Sequence, residues 1–517
     1  MLLMSKNPAW LKNVNLKRTT TAALLGSILF LGLSFSSTRG DTGAPAKRPP
    51  RNPPAPVESS FTVHPDQLNQ VIKGIGVEIQ SDSIGSGNKG LPEDFTSVPH
   101  DLTPDERTRF YNDMLKGFRY CRLAGGLYLR GMDPEQKYFT GRWPEQLSEL
   151  RDMIKTSGIE GVSFEYWSPA PFWKANRALT GSTVGWNNKL RCFGKDFAKD
   201  PDYHGDVDAF LKDFAAACRK DLQTLKDNGI PISFWGLQNE PFANTPYSSC
   251  IYSPAGYSRT FAAVAPVIRE FDPKIQIIAD TSSGWNFNYI QPVLQNPATA
   301  SLVDDLVTHH VGANSNDEFP PTKSDKPRFN NEYEYLFGPA TPRRCLNTVQ
   351  DIMNWFQVAQ APTWFWLHAL KPVGHSEASG YSLGFWCPAS GSPVPTDLQP
   401  GHWTYNNYNW FSVGSFIHRM PWDCQAVAVD EEKRDGDLRI LAFKKPDGKL
   451  TIVLSNRCTA PHTFHVNTGL TGATFKGYRY SPENAGTNCM GVELPALTGG
   501  TISPQLDDLT WEFWEQQ

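Results

Sequence analysis

Eight short apolar runs, most of them followed by a helix-patterned segment, constrain this chain more than any other feature. They are GIGVEI (74–79), GFRYCRL (117–123), GVSFEYW (161–167), PISFWGLQ (231–238), KIQIIAD (274–280), LVTHHV (306–311), RFNNEY (328–333) and TWFWLHA (363–369). A strand needs a long crossover to reach a parallel neighbour, so strand-sized runs alternating with amphipathic helices build parallel sheets. Eight such units over about 350 residues fit a (β/α)8 barrel, an α/β fold of the TIM-barrel type. A doubly wound open sheet is the alternative.

The helices between the runs carry their own signals. Thr103-Pro104-Asp105-Glu106 has the form of a capping box with proline at the first helical position. Segment 206–227 places Phe210, Phe214, Cys218, Leu222 and Leu225 on one face, and Gly229 follows as a stop. Ser253-Pro254 opens a helix running through Phe271, and 347–360 is a further amphipathic segment. After Met420 the texture changes. ILAFKKPDGKLTIVLSN (440–456) reads as a hairpin about a Pro-Asp-Gly turn, and HTFHV (462–466) and FKGYRY (475–480) follow. The last 97 residues read as all-β and suit a small sandwich, to which residues 61–66 ahead of the barrel could add a strand.

The ends of the chain complete the division. Lys6, Lys12, Lys17 and Arg18 precede an apolar stretch from Thr21 to Phe35, the pattern of a secretory signal. The alternative is an uncleaved anchor, but the stretch is short for a spanning helix. The chain is therefore expected outside the cytoplasm, secreted or held at a membrane by this segment. Residues 38 to 59 are rich in proline and polar groups and favour an extended linker. The expected organisation is a signal or anchor over 1–37, a linker over 38–60, the barrel over 61–420 and the sandwich over 421–517.

A formal net charge of −4 with no long basic run after the N-terminal segment leaves nucleic-acid binding without an electrostatic footprint. The 9 cysteines cannot all pair within the chain and have no metal-binding spacing. Cys458 and Cys489 fall in the same small domain and form a plausible bridge. No metal, cofactor or obligate protein partner is expected.

The active face of a barrel lies at the C-terminal ends of its strands. Strand four ends in Trp235-Gly236-Leu237-Gln238-Asn239-Glu240-Pro241 and strand seven in Asn330-Asn331-Glu332-Tyr333-Glu334. Cleaving a glycosidic bond takes two carboxyl groups, one to protonate the leaving oxygen and one to attack or to activate water. Glutamates on nonadjacent strand ends can face each other across a cleft, and a retaining enzyme needs them ~5–5.5 Å apart. An Asn-Glu-Pro tripeptide alone is weak, and a glutamate favoured by a helix N-terminus would explain it equally. Pairing with a strand-seven glutamate sharpens it.

Together these segments resemble the clan-A retaining glycoside hydrolases, and more narrowly glycoside hydrolase family 30. WSPAPFWK (167–174) is similar to that family's W-S-P-P-A-W-M-K, and LQNEP (237–241) to its Q-N-E-P. WFSVGSFIHRMPW (410–422) resembles its last barrel helix, and LAFKKPDGKLTIVLSN (441–456) its sandwich hairpin. The resemblance runs over roughly residues 61–517. It implies a two-step retaining mechanism, with Glu240 as acid/base, Glu332 as nucleophile, Asn239 on the sugar 2-hydroxyl and Arg122 stabilising the nucleophile's ionised form. It also implies a β-linked glycan or glycoconjugate as substrate and a sandwich that supports the barrel. Two departures mark a divergent branch. Glu78 follows Gly74-Ile75-Gly76-Val77 where the family has small residues, which puts a carboxylate near the site mouth. Glu334 shares a strand face with Glu332 and is the competing nucleophile.

Other residues have a functional and a structural reading. Trp167, Trp173, Trp285, Trp364, Trp366 and Trp386 fall at or beyond strand ends, where an indole stacks on a sugar or packs in the core. Trp167, Trp285 and Trp366 are taken as sugar-binding candidates. Of His309 and His310 one points inward; His310 is taken as the substrate contact. Tyr333 is a donor to the nucleophile or a packing residue. Asp280 and the loop His375-Ser376-Glu377 are substrate contacts or solvated caps. The competing functions are a transglycosylase using the same glutamates and a barrel that binds carbohydrate without cleaving it.

Overall fold

In the computed structural model the described residues are 57–81, 102, 104–181, 187–283, 289–311, 319, 324–335, 341–370, 384–388 and 403–517. The expected signal and nearly all of the linker, Thr103, Trp285 and the loop His375-Ser376-Glu377 lie outside them, as do the side chains of Asp280 and Trp386.

All eight apolar runs are strands of one closed parallel barrel. In order they are Gly74–Glu78, Tyr120–Gly125, Gly161–Tyr166, Ile232–Gly236, Gln276–Ser283, Asp305–His309, Arg328–Tyr333 and Thr363–Trp366. Each pairs with its neighbours in sequence, and the eighth closes on the first through Thr363↔Gly74 to Trp366↔Val77. Alternation along each strand sends one set of side chains inward. Low in the barrel the inward set is aromatic. Tyr120, Phe234, Phe329 and Phe365 pack ring to ring, with Tyr120 5.0 Å from Phe234 and Phe329 5.8 Å from Phe365. Gly76 makes room for this floor, because a Cβ there would sit 2.2 Å from the Phe365 ring. The site is built on top of this plug.

The helices follow their caps. Asp206 accepts from the N–H groups of Asp208 and Ala209 and starts the helix Val207–Asp227. Ser253 caps Pro254–Phe271 through Gly256 N–H. The segment expected from 347 begins earlier, at Pro342. The Thr341 hydroxyl accepts from Arg344 N–H, and proline takes the first turn where its missing N–H costs nothing. Among the described residues no helix is long and apolar enough to cross a membrane.

The sandwich is a curled sheet of ten strands. It takes in Val57–Ile72, which starts inside the segment read as linker. Parallel pairing to His462–Asn467 and antiparallel pairing to Cys424–Glu431 fix that strand in place. One face encloses its own core, with Phe61 stacked on Phe464 at 5.7 Å. The other face shares the barrel's core through Leu441, Phe443, Val453, Trp511 and Phe513. Polar clamps reinforce the seam: buried Arg439 holds Glu431 at 2.7 and 2.8 Å and Asn354 of the helix Pro342–Gln357 at 2.8 Å. The expected Cys458–Cys489 bridge does not form. Both thiols are free, Cys458 half-buried beside the sandwich's inner core and Cys489 in the core shared with the barrel.

Candidate active site

Above the aromatic floor the inward residues turn polar. Glu78, Arg122 and Glu165 come from strands one to three, His309 from strand six, and Asn331 and Glu332 from strand seven. A register shift between Asn330 and Glu332 breaks the alternation of strand seven. Asn331 reaches Glu165 Oε2 at 3.3 Å, and its successor Glu332 still meets Arg122.

Arg122 is fully buried and organises the layer. A guanidinium has five N–H groups, and here each has a partner. Nε–H donates to Glu165 at 3.1 Å, and Nη1 to Glu78 at 2.7 Å and Glu332 at 3.1 Å. Nη2 donates to Glu165 at 2.5 Å and to Asn239 Oδ1 at 2.6 Å. The last contact orients the Asn239 amide and leaves its NH2 as the donor. Glu165 fits because strand four offers Gly236, where a Cβ would lie 3.0 Å from Glu165 Oε1.

Glu240 follows strand four with φ 42, the left-handed region that a non-glycine residue enters only at a cost. The surrounding bonds hold it there. Asn239 N–H donates to Tyr166 O at 2.7 Å, and Glu240 O accepts from Ala243 at 2.8 Å. Its carboxylate faces the inner side of strand six, where His309 Nδ1 is 3.2 Å from Glu240 Oε1 and His309 Nε2 is 2.9 Å from Glu332 Oε2. One imidazole thus touches both glutamates that the sequence singles out. Burial alone would push its proton off, but Glu332 and Glu240 more than offset this and raise its pKa to about 10. Burial likewise pushes Glu332 up, and His309 and Arg122 outweigh it, so Glu332 is held below the usual carboxylate range. The two glutamates differ in exposure, 23% for the Glu240 side chain and 7% for Glu332.

Trp167 joins the site, its ring 5.8 Å from the Arg122 guanidinium and 5.7 Å from Tyr247. Its indole Nε1 is buried with no hydrogen-bond partner among the described residues, as is Asn331 Oδ1. Tyr247, in the loop after strand four, has its phenol pushed up by burial and by the charges of Glu240 and Glu332.

Three candidates turn away from the barrel interior. His310 lies behind strand six, with Nδ1 2.5 Å from Asp351 on the helix Pro342–Gln357 and its ring against Trp355. Tyr333 packs outward on Trp364 and Trp366. Trp366 stacks on Phe385 at 4.8 Å and donates to His368 O. In each case the next residue along a strand faces the opposite side, so the inward place falls to His309, Glu332 and Phe365. Trp173 packs on Phe210 and Phe214, and Trp364 donates to Asp351, so both are structural. Glu334 is fully buried in a pair with His368 and accepts from Gly384 N–H. Glu78 is not at a mouth but beneath the site on Arg122. Glu165, Asn331 and Tyr247 were not singled out from the sequence. A polar residue on the inner face of a fully buried strand was the available signal for Glu165; nothing comparable marked Tyr247.

Among the described residues no cluster of histidine, cysteine and acidic side chains could hold a metal ion. Residues 425–483 match the family model of the glycosyl hydrolase family 30 beta sandwich domain. No curated protein matches by sequence. Among solved structures, the catalytic domain of a family 30 xylanase C from Talaromyces cellulolyticus matches with a TM-score of 0.64 at 14% identity, covering 89% of this chain and 100% of that one. A family 30 subfamily 8 xylanase from Clostridium acetobutylicum gives 0.60 at 16%, covering 89% and 99%. An endo-beta1,6-glucanase gives 0.59 at 15%, covering 90% and 94%. At such identities the structural likeness carries the fold alone, and the family model speaks for residues 425–483. The chain thus carries a glycosyl hydrolase family 30 beta sandwich signature over residues 425–483 and, as a whole, is similar in fold to the family 30 xylanases.

Proposed function

We propose that this protein is a retaining β-glycoside hydrolase acting outside the cytoplasm on a β-linked glycan or glycoconjugate. The observation that carries the reading is His309, which contacts Glu240 and Glu332 with its two ring nitrogens. A held pair of carboxyl groups, one buried and anionic and one more exposed, is what double displacement needs.

Glu332, kept ionised by Arg122 and His309, attacks the anomeric carbon, and Glu240 protonates the departing oxygen. Negative charge leaves Glu332 as the ester forms and appears on Glu240 as its proton goes. The His309 imidazolium touches both ends of that transfer, so it favours charge on either one. In the second half Glu240 takes a proton from water, which opens the ester with net retention. The NH2 of Asn239 donates to the sugar 2-hydroxyl, where contacts strengthen in the transition state. Trp167 Nε1 and Asn331 Oδ1 are buried polar atoms that sugar hydroxyls would satisfy. The xylanases and the glucanase of like fold suggest a polymer of β-linked sugars as the first substrate class to try. The charged N-terminus ahead of an apolar run supports export.

The test is sugar release from β-glucans, xylans, galactans and aryl β-glycosides, with the anomer of the first product followed by NMR. Release of the β-anomer by the parent and none by Glu332→Gln is expected. Initial release of the α-anomer would sink the retaining mechanism, and equal release by both proteins would sink the assignment of Glu332.

A further inference from the structure

The layer beneath the site holds more acid than a two-glutamate reaction needs. Three carboxylates, Glu78, Glu165 and Glu332, meet one guanidinium, and all of its N–H groups are engaged. A carboxylate facing an arginine alone takes two parallel N–H bonds, the strongest arrangement available to it. Glu332 receives one, at 3.1 Å. Glu165 takes two through a single oxygen, Oε2, which also accepts from Asn331. Its other oxygen, Oε1, is buried with no hydrogen-bond partner among the described residues.

We propose that Glu78 and Glu165 are positioning residues for the reaction: as carboxylates they occupy three of the five N–H groups of Arg122, so that the nucleophile Glu332 receives only one and keeps its attacking power. The proposal rests on the reading of Glu332 as nucleophile and adds two residues to it. A guanidinium gripping Glu332 with two N–H groups would hold its electron pairs back from the sugar. Dividing the guanidinium keeps Glu332 ionised without binding it so tightly. The same contacts fix the plane of Arg122, which orients Asn239.

The charged and titratable groups facing this layer include Glu78 of strand one, Arg122 of strand two, Glu165 of strand three and Glu240 after strand four. Tyr247 of the following loop, His309 of strand six and Glu332 of strand seven face it as well. Removing one negative charge from this set lowers the pKa of every remaining acid in it.

The experiment compares kcat and KM against pH for the parent, Glu165→Gln, Glu165→Asp and Glu332→Gln, on one aryl β-glycoside that the parent cleaves. Glu165→Gln should move the acidic limb of kcat/KM down by about one unit and lower kcat more than KM changes. Glu165→Asp, which keeps the charge, should restore the limb toward the parent. A role in packing alone would reduce the folded fraction and leave the limb in place. Overlapping limbs for Glu165→Gln and the parent, or an upward move, would overturn the proposal. Turnover retained by Glu332→Gln would overturn the underlying reading and this inference with it, while loss of turnover there leaves the Glu165 comparison as the deciding arm.

Discussion

His309 Nε2 lies 2.9 Å from Glu332 Oε2, a contact between a buried imidazole and a buried carboxylate. The pair raises the histidine to about 10 and lowers the glutamate. Replacing His309 with asparagine removes a positive charge beside Glu332, whose pKa must then rise. The acidic limb of kcat/KM should move to higher pH, and turnover should fall roughly 10²-fold. Stability follows the same linkage. A group with a raised folded pKa contributes fully below its ordinary value of 6.5, and that contribution is lost as pH rises through about 10. The melting temperatures of parent and variant should therefore differ most at neutral pH and below, and converge on alkaline titration.

The two site glutamates should separate by leaving group. Glu332→Gln should lose at least about 10³-fold on every substrate. Glu240→Gln should lose about 10²–10⁴-fold where the leaving oxygen needs a proton, and far less with an acidic phenol. Rates on a phenol series of graded acidity would check this, and equal losses across the series for Glu240→Gln would contradict the assignment.

Glu334 has a different task. Its carboxylate is closed off by His368 and Gly384 N–H. Glu334→Gln should cost about 1–3 kcal/mol of stability and leave KM on short substrates near the parental value. Calorimetry beside steady-state rates would show this; a folded variant without turnover would reopen the choice of nucleophile.

Arg122→Ala leaves three buried carboxylates without their shared cation. Breaking a buried pair in this way costs about 3–5 kcal/mol. Arg122→Lys should recover little, because an ammonium cannot reproduce five N–H directions. Denaturant midpoints of the two variants would test the ranking.

Asp221, on the helix Val207–Asp227, is buried and pushed up to about 7, chiefly by burial. It accepts from Tyr166 OH and Phe139 N–H at 2.6 Å each. With a folded pKa above the ordinary 3.8, the folded protein holds the proton longer, so this residue's contribution is lost as pH rises from about 4 to 7. Asp221→Asn lacks that slope. It should destabilise the protein more at pH 4 than at pH 8, and a constant difference in melting temperature would refute the assignment.

The barrel was legible because apolar runs and helix caps are local signals, as the Ser253 and Asp206 caps illustrate. The two glutamates were legible because they end strands, where a barrel puts its chemistry. Strand parity at a terminus was not. His309 and His310 are adjacent, and which one faces inward depends on the register of strand seven and on Asp351 waiting behind strand six. Tyr333 and Trp366 were misplaced for the same reason. Glu165 escaped because a buried carboxylate is legible only when its arginine is known to be within reach.

The strand Val57–Ile72 precedes the whole barrel yet pairs with residues 424–431 and 462–467. On a ribosome it emerges ahead of the barrel and finds its neighbours only after residues 424–467 have followed. Until then the barrel must form beside an unpaired strand, with Leu68 and Val71 exposed even in the finished fold. Contacts so distant in sequence close slowly. The sandwich therefore acts as a late clasp: a chain cut short before residue 424 would leave that strand with neither partner and expose a sticky edge.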